Sequence, residues 1–140
     1  MDLKKILIFA GIGLVLVIII GVVLFMFVFN KDGEDKVEEV IYYEFPLGEM
    51  YSNINDEKKI LKSNVIIQYT DEALGEVFPT HISRIKNDIF QLYRTRTYEQ
   101  LSAPNGQQRI REDIQEMVVE VLEVEPDVIS DILFSEFILQ

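Results

Sequence analysis

The chain has 140 residues, no cysteine and a formal net charge of −11 at neutral pH. Residues 37–140 carry all of that charge, because the bases ahead of them (Lys4, Lys5, Lys31, Lys36) are matched by Asp2, Asp32, Glu34 and Asp35. So acidic a surface repels phosphate backbones and anionic headgroups, which argues against a nucleic-acid partner, and the absence of Cys excludes a disulfide framework, a thiolate nucleophile and a Cys-based zinc site.

The first element is Ile6 to Phe29, an uncharged run of Ile, Leu, Val, Phe, Met, Ala and Gly. As a helix it is roughly 36 Å long, enough to cross a hydrocarbon core of about 30 Å. It is longer than the apolar core of a signal peptide, and it ends in Phe25 to Asn30 without a small-residue cleavage site. The expectation is therefore an uncleaved anchor. The span carries no ionisable residue for an ion or proton path, and Gly11, Gly13 and Gly21 are not spaced as G-x-x-x-G. A short tail, residues 1–5, with Lys4 and Lys5 against the span leans towards tail inside and the following domain outside.

Residues 30–39 (NKDGEDKVEE) read as a juxtamembrane linker, and residues 40–140 as one modest α+β or α/β domain. Val40 to Phe45 is β-branched and aromatic and stops at Pro46, which predicts a strand there, with Tyr51 to Ile54 a short extension and a turn at Asn55-Asp56. Leu61, Ser63, Val65, Ile67 and Tyr69 alternate with polar residues and predict a half-buried strand, with Ile66 the one apolar residue on the other face. Thr70-Asp71-Glu72 predicts a helix start, and Pro79 a kink or end to that first helix. Ile82, Ile85, Ile89 and Leu92 then mark an amphipathic helix. A stub is expected at Thr97 to Leu101. Pro104 suits the first turn of the next helix, on which Ile110, Ile114, Met117, Val118, Val121 and Leu122 share a stripe. Pro126 ends that segment. Val128 to Leu139 predicts a strand either buried on two sides, or buried on one and used for contact on the other.

The residues give little support to catalysis. His81 is the only histidine, which leaves no second nitrogen ligand for a usual zinc site, and it reads as a loop residue or helix cap. Asp71, Glu72 and Glu76 read as acidic first-turn residues; a membrane-anchored envelope enzyme would need a pair such as Glu72 and Glu76 without a companion nucleophile. Gly-rich phosphate loops, nucleophile elbows and metalloprotease helices are missing from the sequence. No cofactor or metal is expected. Two charged groups are candidate contacts: Arg94 and Arg96, with Arg84 and Lys86, form a basic patch suited to an acidic neighbour, and Glu112, Glu116 and Glu120 form an acidic stripe beside Asp113. The ordinary reading of both is a solvated surface. Val119 lies off the apolar stripe of its helix, and Phe134 and Phe137 belong to the two-sided final strand. All three are further candidate contacts.

In order and content the chain resembles the FliL family of flagellar basal body-associated proteins. The resemblance is carried by the anchor, then Pro46-Leu47-Gly48 and Asn53-Ile54-Asn55-Asp56, then Ile85-Lys86-Asn87-Asp88-Ile89, Thr97-Tyr98-Glu99-Gln100-Leu101, and Gly106 followed by Arg109-Ile110-Arg111-Glu112. The closing Phe134-Ser135-Glu136-Phe137-Ile138-Leu139-Gln140 is similar to the family's Phe-Thr-Glu-Phe-Val-Val-Gln ending. Val119 and Leu133 depart from it, standing where the family often has Asn and Tyr. The resemblance implies a single-pass inner-membrane protein with an extracytoplasmic domain of stomatin (SPFH-like) fold. It also implies a homo-oligomeric ring around the stator units of the flagellar motor that supports their torque. The rival of another class is a membrane-anchored envelope sensor or scaffold without a flagellar role.

Overall fold

The computed structural model describes residues 2–29, 38–56 and 58–140. Most of the expected 30–39 linker therefore lies outside the described residues. The chain divides into two compact units, 1–39 and 40–140.

The first unit is one helix, α1 (Leu3–Phe29), which begins three residues ahead of the expected span and takes Lys4 and Lys5 into its first turn. From Ile6 to Val28 its side chains are exposed and apolar on every side rather than along one stripe. Leu3–Val28 is long and apolar enough to cross a membrane.

The second unit is an α+β domain. Its elements are β1 (Tyr43–Asn53), β2 (Ile60–Tyr69), α2 (Leu74–Arg94), α3 (Tyr98–Ser102), α4 (Gly106–Leu122), a single 3-10 turn at Pro126–Val128, and β3 (Ile129–Leu139). The strands form one antiparallel sheet in the order β1-β2-β3, so β2 is central and both other strands are edges. Helix α2 packs on β1, α4 on β3, and the two helices on each other.

The alternation of β2 is reproduced in full: Leu61, Ser63, Val65, Ile67 and Tyr69 are buried and the intervening residues half-exposed. Across the ladder the same face continues as Phe45 and Met50 in β1 and as Ile132, Phe134 and Phe137 in β3. Helix α2 adds Phe78, Ile85, Ile89 and Tyr93 to this core, and α4 adds Ile110, Ile114 and Val118. Phe78 stacks on Phe45 with ring centroids 4.7 Å apart and meets Tyr69 at 5.0 Å. Among the described residues Tyr93 and Ser63 form a buried polar pair, hydroxyl to hydroxyl at 3.0 Å. Burial pushes the Tyr93 phenol up to about 12, against a smaller downward effect of the Ser63 hydrogen bond.

Four expectations are corrected. The first strand begins at Tyr43, not Val40, and does not stop at Pro46. As an edge strand β1 tolerates a missing donor, and a bulge between Pro46 and Gly48 turns Leu47 into the core, where it is 3% exposed. Gly48 supplies the positive φ (+81°) that the bulge requires. Helix α2 runs unbroken past Pro79. The proline sits in its second turn and costs one backbone bond, to Gly75, while the tertiary packing of Phe78 and Ile85 on either side holds the helix together. His81 accordingly lies within α2, its ring Nδ1 2.8 Å from the Thr80 hydroxyl and 3.2 Å from the Val77 carbonyl, and not in a loop. Pro104 lies outside α4, which starts at Gly106 and is capped after Leu122 by Glu123 in the left-handed region. The short α3 carries a full capping box, Thr97 Oγ1 accepting from Gln100 N–H and Gln100 Oε1 from Thr97 N–H.

Candidate interaction surfaces

Two surfaces of the 40–140 unit stand out. The first is the outer side of α4. Because Ile110, Ile114 and Val118 turn one side of that helix to the core, residues two positions away face outward. Glu112, Asp113, Gln115, Glu116 and Val119, with Pro126 from the following turn, line an open concavity of about 510 Å³. Three of the residues singled out in the sequence, Glu112, Glu116 and Val119, therefore share one surface, acidic at its walls with Val119 and Pro126 as its apolar part. Glu112 accepts a hydrogen bond from Gln108 Nε2 at 2.7 Å, which fixes one wall. No three His, Asp or Glu side chains among the described residues are grouped as a metal site needs.

The second is the sheet face away from the helices. Glu44, Pro46, Glu49 and Tyr51 of β1, Lys62, Asn64, Ile66 and Gln68 of β2, and Asp131, Leu133, Glu136 and Ile138 of β3 share it. Lys62 is its centre. Its ammonium donates to Glu136 at 2.9 Å, lies 3.7 Å from Glu49, and sits 5.7 Å from the Tyr51 ring centroid. The Glu136 hydrogen bond holds the Lys62 pKa above its ordinary value, against the opposing effect of desolvation. Ile66, opposite Leu133, forms an apolar strip beside this charged one. Sequence reading noticed Ile66 but not the Lys62 clamp: Lys62 and Glu136 are separated by 74 residues and become diagonal neighbours, opposite Ile138 and Asn64 respectively, only once the register is set.

The remaining candidates separate. Arg96 is engaged internally: it pairs with Asp113 and so ties the end of α2 to α4. Arg84 pairs with Asp88 at 3.7 Å on its own helix. Arg94 is exposed and has no ion pair among the described residues. The basic patch is thus reduced to Arg94 and the half-buried Lys86. Phe134 and Phe137 face the helices, their rings 5.0 Å apart, half-buried at the margin of the core. The apolar groups that β3 turns to the opposite face are Leu133 and Ile138 instead.

Two polar ties also went unnoticed in the sequence. Gln115 Nε2 donates to the Ile129 carbonyl at 2.6 Å, and Arg111 Nη2 lies 3.4 Å from Asp131 Oδ1, so α4 is fastened to the start of β3.

The arrangement defines a small, acidic α+β domain, preceded in the chain by a helix long and apolar enough to span a membrane. The model of the flagellar basal body-associated protein FliL family matches residues 42–140, and the chain belongs to that family. The match covers the α+β domain from β1 to its last residue and does not include α1. No match was found among curated proteins.

Proposed function

We propose that this protein is a membrane-held accessory component of the flagellar motor, which assembles with copies of itself around the stator units and supports their torque. The family match over residues 42–140 carries this reading, and the spanning-type helix at Leu3–Val28 supports the membrane attachment. Residues 1–5 form the cytoplasmic tail, 6–29 the inner-membrane span, 30–39 the linker, and 40–140 the extracytoplasmic domain, of SPFH-like type. A domain with no reaction chemistry of its own acts on a partner by binding one of its conformations better than another. Here the favoured state is the engaged stator. Glu112, Glu116 and Val119 on the outer side of α4, Arg94 at the end of α2, and the β3 end around Phe134 and Phe137 are the proposed contacts to stator or neighbour, with Arg96 holding α4 in place for them.

The test is made in a motile host whose own copy is deleted. Stator occupancy and swimming under load should fall and recover on complementation. Unchanged occupancy and torque would remove the stator role and leave an envelope scaffold.

A further inference from the structure

Only half of the outer edge of β3 is closed. Near its start the Gln115 amide takes the Ile129 carbonyl at 2.6 Å, and the Asp131 carboxylate accepts from Ile132 N–H at 2.8 Å. From Phe134 to Leu139, among the described residues, no side chain bonds the outward-facing backbone of the strand. An open, largely apolar edge of this length is a template for another strand.

The same chain holds a strand-like segment that pairs with no strand among the described residues. Val40, Ile41 and Tyr42 are 54%, 63% and 56% exposed and precede β1 outside the sheet. With Tyr43 to Phe45 they make a β-branched and aromatic run of six residues ended by Pro46, which cannot donate to a ladder. This run cannot reach its own open edge. It enters the sheet on the far side of β2, at the end where Tyr43 pairs with Tyr69 and Tyr69 with Ile129. The open half of β3 runs towards Leu139, which is opposite Leu61 and so level with Ser52, roughly 30 Å along the strands from Tyr43.

We propose that Val40–Phe45 of one copy adds as a strand to the Phe134–Leu139 edge of a second copy. This names the contact within the self-association proposed above and rests on that reading. Each copy gives the segment at one sheet edge and receives one at the other, so the contact is head-to-tail and repeats, closing into a ring or running as a chain.

The chain has no cysteine, so introduced thiols report without background. Full-length protein in mild detergent carrying both Ile41→Cys and Ile138→Cys should give a ladder of disulfide-linked multimers on gentle oxidation. A mixture of the two single variants should give linked dimers. In parallel, Ile41→Pro, in a segment outside the core, should dissociate the multimers by light scattering with no change in unfolding temperature. Multimers that persist without 41-to-138 linkage, or that link through Ile41→Cys alone, overturn the strand-addition contact and leave self-association standing. A protein that is monomeric at every concentration overturns both.

Discussion

Gly106 shows how little room the α3–α4 corner leaves. A Cβ at this position would overlap the main-chain carbonyl oxygens of Gln100 and Leu101, atoms that cannot swing aside. Gly106→Ala should therefore destabilise the domain by about 1–3 kcal/mol, read as a shift in the denaturant midpoint at constant slope. Tyr93 makes a different prediction. Its phenol is neutral at physiological pH, and its folded-state pKa of about 12 lies above the ordinary 10.0. Between these values the unfolded chain has given up the proton that the folded chain keeps, so stability is full below pH 10 and falls as pH rises towards 12. The loss amounts to roughly 2–3 kcal/mol. Tyr93→Phe should abolish that part of the alkaline decline while lowering stability at neutral pH by about 1 kcal/mol, because Ser63 is left without its partner. An alkaline melting profile that is the same in both proteins would contradict the assignment.

At the scale of elements, the legible parts of the sequence were those where one local signal dominates. The alternation from Leu61 to Tyr69 and the Ile110–Ile114–Val118 stripe needed no tertiary knowledge, since each period settles which face is buried. Two of the three prolines that misled, Pro46 and Pro79, did so for opposite reasons. Pro46 lies in an edge strand that absorbs it in a bulge, and Pro79 in a helix whose packing outweighs one missing bond. Neither circumstance can be read from neighbours in sequence. Contacts between distant residues were equally hidden: Asp113 takes Arg96 out of the basic patch, and Glu136 reaches Lys62 across the sheet. Pro79→Ala tests the account of α2. Restoring the bond to Gly75 should stabilise the domain by about 1–3 kcal/mol, seen as a higher unfolding temperature. For α3, Thr97→Ala removes half of the capping box and should cost about 1 kcal/mol. Thr97→Ser keeps the hydroxyl and should cost much less.

For the whole molecule, charge separates two ways in which copies can meet. Residues 37–140 bear a net charge of −11, so every approach of one domain to another works against repulsion. If Arg94 of one copy held the Glu112–Glu116 surface of the next, local attraction would have to exceed that repulsion, and added salt would weaken the assembly. Strand addition between Val40–Phe45 and Phe134–Leu139 draws instead on backbone hydrogen bonds and apolar burial, which salt does not screen, while the general repulsion it opposes is screened. The assembly of the full-length protein in neutral detergent should then strengthen as salt rises from about 50 to 300 mM, a range over which the Debye length shortens from about 14 Å to about 6 Å. Arg94→Glu, which makes the net charge of each copy more negative by two, should raise the concentration needed for assembly at low salt and have little effect at high salt. If the wild-type assembly instead dissolves with salt and Arg94→Glu abolishes it at every ionic strength, the ion pair between copies is the principal contact.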